Sequence, residues 1–375
     1  TKAASGWDSV ANLMVLSILQ CLMLLGFLLG GEQETIASVL MGFGGIFLSQ
    51  WLLYIFYCMI RRKSFEVETM AFFLCTMGMA AIATVKPGET MKQLAAMALG
   101  VVTFLVIGWS LRDLERAKVV RYLATVAGVG FLMVTLVFGT EYYGAKNWLA
   151  IGPVSFQPSE LVKIVFVFFV ASSFKRSTEF KDLVVTTVVA AFHVLILVVS
   201  KDLGAALIIF VVYLVMLYVA THQPLYILAG LGAGSLGAVA AYHLFTHVKT
   251  RVNVWRDPFG TYDNGGYQVA QSLFAIGTGG WFGAGLYQGQ PDTIPVAETD
   301  LIFSAITEEI GMIFSLCLIL ICVSCYVMFL NIAMELRNQF YKLVALGLGT
   351  CYIFQVFLQI GGVTKSVSYT HLRAH

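Results

Sequence analysis

Asp300 is the side chain in this sequence best placed to move a proton. It closes the stretch Pro295-Val296-Ala297-Glu298-Thr299-Asp300, and an apolar run starts at Leu301. A carboxylate where an aqueous loop meets hydrocarbon is partly desolvated, which raises its proton affinity and suits it to general-base work. The plainer expectation for Thr299 or Asp300 is a helix N-cap. Glu308 and Glu309 follow about two turns deeper, just before Gly311. Acids inside an apolar segment are paired or functional.

Two other polar clusters interrupt the apolar background. The first runs from Lys146-Asn147-Trp148 through Gly152 to Gln157-Pro158-Ser159-Glu160, with Lys163 three residues on. Ser159 and Glu160 suit the first turn of a helix, and Pro158 fits just ahead of it. Glu160 and Lys163 share a helix face, so an ion pair is the default, while a substrate head group is the functional reading. The second is Lys201-Asp202-Leu203-Gly204, read first as a solvated hairpin and second as Asp202 bracing a neighbouring loop.

A longer polar stretch, 247–300, holds Arg251, Arg256-Asp257-Pro258, Gly265-Gly266-Tyr267-Gln268, Gln271-Ser272 and the glycines between Gly277 and Gly285. Such glycines permit tight turns and close approach of backbone N–H groups to an anion. His193, His222, His243 and His247 show no ligand spacing, and Cys322 and Cys325 form a CxxC inside an apolar run. Neither pattern points to a metal or redox site.

Elements that hold these residues must cross a membrane. Hydrophobic residues make up 59% and charged residues 12% of the 375 positions, against roughly 45–50% and about 25% in soluble domains. Eleven helices of about 20 residues would use roughly 220 apolar positions, close to that hydrophobic content. The composition excludes a soluble enzyme, a nucleic-acid-binding domain, a disordered chain and a disulfide scaffold. A net charge of +2 implies no bulk attraction to polyanions.

Apolar runs predict spans at 9–30, 35–60, 67–86, 94–111, 119–140, 161–174, 183–200, 203–221, 225–246, 301–330 and 340–363. The run 161–174 is short and is expected to extend beyond those bounds. Gly230 and Gly234 form a GxxxG face that reads as close helix packing. With the N-terminus inside, thirteen Lys and Arg fall in the inner breaks and four, Lys86, Lys92, Lys146 and Lys201, in the short outer ones. The positive-inside rule then puts 247–300 outside.

Together the clusters resemble the RodA/FtsW/SpoVE (SEDS) family of polytopic membrane proteins. The family pattern Trp-x-x-x-Gly…Gln-Pro-Ser-Glu-Leu-x-Lys matches Trp148, Gly152, Gln157, Pro158, Ser159, Glu160, Leu161 and Lys163. Asp-Leu-Gly matches Asp202, Leu203 and Gly204, and the Asp-Pro…Gly-Tyr-Gln…Gln-Ser…Gly-x-Gly run matches Asp257 through Gly285. Thr-Asp-Phe-Ile-Phe…Glu-Glu-x-Gly matches Thr299 to Phe303, with Leu301 in place of Phe, then Glu308, Glu309 and Gly311.

The resemblance implies an all-α polytopic fold: two added N-terminal helices over 1–66, a SEDS catalytic membrane domain over 67–363 with its extracytoplasmic loop at 247–300, and a non-family tail at 364–375. It implies a peptidoglycan glycosyltransferase of the bacterial cytoplasmic membrane that polymerises lipid II at the outer face, paired with a class B penicillin-binding transpeptidase. Membrane lipid is its medium, and no nucleic acid is involved.

Asp300 carries over as the catalytic residue. Lys146, Trp148, Gln157, Glu160, Lys163, Arg251, Arg256, Gln268 and Gln271 are the expected substrate-binding set. Pro158, Ser159, Asp202, Gly204, Asp257, Gly266, Tyr267, Glu308 and Glu309 are the expected supports. A divalent cation, Mg²⁺ or Mn²⁺, is a candidate at the diphosphate, with no protein metal site assigned.

Many relatives carry Arg directly before the Trp of the first motif, where this chain has Asn147 after Lys146. The family also continues past Gly361-Gly362-Val363 into Pro-Leu-Thr-Gly…Ser-Tyr-Gly-Gly-Ser and a last helix. This sequence instead runs into Lys365 to His375, so the expectation is a C-terminally truncated member, inactive as written. A lipid-linked precursor transporter is the alternative reading, and a scaffold for a transpeptidase the weaker third.

Overall fold

The computed structural model describes residues 6–30, 33–62, 64–110, 114–142, 145–151 and 154–366. Side chains are described for these except at 6–7, 33, 110, 114–125, 140–142, 145–147, 150–151, 154–156, 264 and 292. Helices account for nearly all of it: α1 (Gly6–Gly30), α2 (Ile36–Met59), α3 (Glu66–Val85), α4 (Thr90–Ser110) and α5 (Leu114–Phe138). Three short strands follow, β1 (Thr140–Tyr142), β2 (Ala145–Ile151) and β3 (Val154–Phe156). Then come α6 (Pro158–Arg176), α7 (Phe180–Val199), α8 (Leu203–Thr221), α9 (Pro224–Leu244), α10 (Thr246–Arg256) and α11 (Tyr267–Gly279). The last three are α12 (Ile302–Ile310), α13 (Met312–Glu335) and α14 (Gln339–Val363).

Nine helical segments among the described residues are long and apolar enough to cross a bilayer. The remaining expected spans coincide with α5 and α6, and α6 extends past 161–174 at both ends. Backbone groups in hydrocarbon have no water to bond, so apolar runs of this length close their own hydrogen bonds as helices. The fold is all-α and polytopic apart from the antiparallel sheet β1-β2-β3.

One expectation needs correction, and two polar stretches carry regular structure that the run of spans does not specify. The span predicted at 301–330 is broken: α12 stops at Ile310, Gly311 takes φ +90°, and the apolar helix starts at Met312. The stretch 247–300 contains two helices too short to be spans, α10 and α11. The polar break near 140–156 is a sheet, because Ala145–Ile151 finds antiparallel partners on both sides.

The chain divides into two compact units, 1–109 with 271–321, and 110–270 with 322–375. In the first, α1, α2 and α3 bury Leu13, Phe27, Val39, Phe43, Ile46 and Phe72. Two glutamines lie inside this apolar packing. Gln20 Nε2 donates to Gln50 Oε1 and to Thr76 Oγ1, each at 3.0 Å, and Gln50 Nε2 donates back to Gln20 Oε1 at 3.1 Å. A buried amide without partners is costly, so the bonds fix the register of the three helices. At the end of α2, Arg62 pairs with Glu68 at 3.0 Å and donates to the Tyr57 hydroxyl.

The second unit packs α6 against α5, α8 and α14 around Val162, Phe166, Val170, Ile208, Val212 and Met216. Gly347 lets α14 approach Val167 and Met216 closely. The GxxxG face of α9 packs as expected, Gly230 against Leu214 and Gly234 against Phe210. His193 is a core residue, its ring beside Phe166 and Phe169 and its Nδ1 2.8 Å from the Val189 carbonyl.

Candidate functional site

Asp300 lies in the first unit, half-exposed, at the end of a run of turns over 295–301. Lys86, just after α3, pairs with Glu298 at 3.4 Å and ties this run to the preceding helix. The N-cap position of α12 belongs to Leu301 and carries no side-chain cap bond. Thr299 Oγ1 donates to Val296 O at 3.5 Å, a turn bond and not a cap.

Beyond Asp300, the break at Gly311 is filled by the glycine-rich segment. In a continuous helix Met312 N would donate to Glu308 O and Ile313 N to Glu309 O. Here Met312 N donates to Gly280 O at 2.9 Å and Ile313 N to Trp281 O at 3.3 Å. The freed carbonyls accept instead from the loop, Glu308 O from Ala284 N at 2.8 Å and Glu309 O from Gly285 N at 2.9 Å. A Cβ on Gly279 would meet Thr307 O, and one on Gly283 would meet Glu309 O. The glycines thus serve backbone packing, and the amides of Ala284 and Gly285 are spent on carbonyls, not held out for an anion.

Glu308 and Glu309 are buried at this break, 5% and 4% exposed. Glu309 Oε2 accepts from Thr84 Oγ1 at 3.2 Å, and the amides of Tyr287 and Gly289 face its carboxylate. Glu308 Oε1 accepts from Gln290 N at 3.3 Å, while its Oε2 is buried without a hydrogen-bond partner among the described residues. Tyr287 is itself held by α1, donating from its hydroxyl to Met23 O at 3.1 Å beside the Phe27 ring.

The second unit gathers the other two clusters. Asp202 is buried, not a solvated hairpin residue. Its Oδ2 accepts from Gln157 Nε2 at 3.0 Å and Ser159 Oγ at 3.1 Å, and its Oδ1 accepts from Ala205 N at 3.2 Å. Asp202 therefore caps α8 and braces the start of α6, the less favoured of its two expected roles. Gly204 and Pro158 are buried in the first turns of those helices.

Lys163, 4% exposed, pairs with Glu160 at 2.7 Å and donates to Gln355 Oε1 at 2.9 Å. Glu160 keeps 52% of its side chain exposed. Gln355, on α14, is the partner that the sequence reading missed. Its signal was available, a polar amide in an otherwise apolar span, in step with Cys351 and Gln359 at four-residue intervals.

Arg251 is half-buried on α10, and Arg256 is exposed at its end. Burial, with Arg251 and Lys201 nearby, holds the His247 imidazole below its usual pKa. Asp257 closes the following turn, accepting from Gly260 N at 2.8 Å, and Gly266 packs where a Cβ would strike Pro258 O. Tyr267 is exposed, Gln268 is 4% exposed and Gln271 is half-buried. Trp148 is half-buried on β2. The Lys146 side chain, Gly152 and the tail 367–375 lie outside the described residues.

The family model for FtsW, RodA and SpoVE, described as cell cycle protein, matches residues 69–368. The peptidoglycan glycosyltransferase RodA of Mycobacterium tuberculosis is 34% identical over 300 residues, covering 75% of this chain and 64% of the relative. The probable peptidoglycan glycosyltransferase FtsW of Nitrosococcus halophilus is 34% identical over 249 residues, covering 62% and 63%. The chain thus spans 64% of the length of the RodA relatives it matches.

Among solved structures, one described as a peptidoglycan synthase complex coordinating polymerization and crosslinking aligns with TM-score 0.69 at 22% identity, over 83% of this chain and 90% of that one. The Thermus thermophilus rod shape determining protein RodA aligns with TM-score 0.58 at 21% identity, over 80% and 84%. These likenesses show the fold.

Proposed function

The chain belongs to the FtsW/RodA/SpoVE family of cell cycle proteins, and from that premise we propose that it is a peptidoglycan glycosyltransferase polymerising lipid II. The relatives' names support the activity. The observation that carries the reading is the placement of Asp300, a half-exposed carboxylate on a braced turn ahead of α12.

Lipid II presents an α-linked sugar diphosphate, and the glycan product is β-1,4 linked, so the step inverts the anomeric carbon. The acceptor 4-hydroxyl loses its proton to Asp300 as its oxygen attacks, and undecaprenyl diphosphate leaves. The leaving group needs no acid if cations neutralise its charge. Lys163, Arg251, Arg256 and Lys146 are the proposed cations. Among the described residues no three His, Cys, Asp or Glu side chains gather as a metal-ligand set. A Mg²⁺ or Mn²⁺ ion at the diphosphate is a further proposal, and it would add positive charge against the leaving group.

The positive-inside count supports a cytoplasmic N-terminus and an extracytoplasmic Asp300. A class B penicillin-binding transpeptidase is the proposed partner, supported by the synthase complex among the structural neighbours.

One observation favours the transporter alternative. A helix broken at Gly311 with two buried acids beside it is the arrangement transporters use at the bilayer midplane. Purified protein given lipid II in detergent, and the same protein tested for lipid II flipping in vesicles, separates the two. Glycan chains support the polymerase; flipping without glycan chains supports the transporter.

A further inference from the structure

We infer that Gln355 of α14 completes an anion subsite with Lys163, both seating the ammonium and donating to the same diphosphate. The inference rests on the reading that Lys163 receives the substrate's diphosphate. An ammonium has three N–H donors. In Lys163 one meets the Glu160 carboxylate at 2.7 Å and one the Gln355 carbonyl oxygen at 2.9 Å. The third has no partner among the described residues.

Glu160 alone would close a neutral pair on one helix face. Gln355 is different in kind: a neutral acceptor from a second helix, it holds the ammonium in place without adding a second negative charge to the pair. The amide of Gln355 also has two N–H donors that no described residue accepts. An exposed Gln355 and a half-exposed Glu160 flank a buried ammonium, so unspent donors from α6 and α14 face one ligand position. Cys351, one turn earlier on α14, lies within electrostatic reach of the same two charges, which places this helix face toward the pair. Polar groups on membrane helices face a partner or a cavity, not lipid.

The test uses the full chain in detergent, with a long-chain polyprenyl diphosphate and the matching monophosphate as probes in equilibrium binding. Gln355→Leu is expected to weaken the diphosphate about tenfold and to leave the monophosphate within about twofold. Gln355→Glu is expected to weaken the diphosphate further, because it adds a second carboxylate beside the Glu160–Lys163 pair and makes the position net negative. That order, Gln above Leu above Glu, does not follow from lost folding, since Leu is well tolerated in an apolar helix.

If Lys163→Met loses diphosphate binding while Gln355→Leu binds like the parent, the inference is overturned and the reading of Lys163 stands. Equal loss of both probes by Gln355→Leu overturns it too, pointing to a general packing role. If Lys163→Met binds the diphosphate normally, the reading fails and the inference falls with it.

Discussion

The backbone N–H of Met312 donates to the carbonyl of Gly280, at 2.9 Å, and so turns away from Glu308 one helical turn back. This exchange defines the break between α12 and α13. A glycine-rich segment inserts into a broken helix, takes over both halves of its hydrogen-bond ladder, and leaves two buried acids beside the break.

Gly283 should be intolerant of a side chain. It has φ +82°, and a Cβ there would strike Glu309 O. Gly283→Ala is expected to cost about 2–4 kcal/mol, combining left-handed strain with a backbone clash. Gly277 has open space where its Cβ would go, and Gly277→Ala should be neutral or slightly stabilising within its helix. Thermal unfolding in detergent compares the two.

The paired glutamines should behave as a coupled unit. Gln50→Leu leaves the Gln20 amide short of a partner and is expected to cost about 1–3 kcal/mol. Adding Gln20→Leu should recover part of that loss, because both polar groups are then gone. A double-mutant cycle on unfolding temperatures measures the coupling.

Much of this was legible in the sequence, for identifiable reasons. Apolar runs of 20 residues have one outcome in hydrocarbon, so the predicted spans match helices α1 to α9 and α14 closely. The Glu160–Lys163 pair followed from helical spacing. The break at Gly311 was invisible because Leu301 to Leu330 reads as one apolar run, and only the returning loop supplies the replacement hydrogen bonds. Gln355 and Thr84 were missed for a related reason: their partners, Lys163 and Glu309, lie 192 and 225 residues away. Asp202 was misjudged because its short turn looked solvated, whereas Gln157 and Ser159 cover it.

Lys163 should matter to function far more than to stability. Lys163→Met removes a buried charge and keeps its aliphatic stem, so the fold should survive while glycan polymerisation falls about 100-fold or more. Glu160→Gln should change stability by less than about 1 kcal/mol, given its half-exposed carboxylate. Polymerisation assays alongside unfolding temperatures separate the two effects.

Acid should loosen the region around α10. The His247 pKa is lowered by burial first, then by Arg251 and Lys201. A base with a depressed folded pKa favours its neutral form in the fold, so its contribution to stability is present above the ordinary histidine pKa. It is lost as pH falls from there through the folded value. Unfolding temperature should therefore decline on acidification below about pH 6.5, and His247→Gln should flatten that part of the profile. An unchanged slope in the variant would remove His247 from the explanation.

Asp300 bears the central claim, and replacing it by Asn tests it most directly. Asn keeps the size and hydrogen-bonding shape of the side chain but cannot take a proton at neutral pH. Full-length Asp300→Asn protein, folded and binding lipid II like the parent, is predicted to form no glycan chains above background. Glycan chains formed at the parent's rate would contradict the assignment of Asp300 as the base.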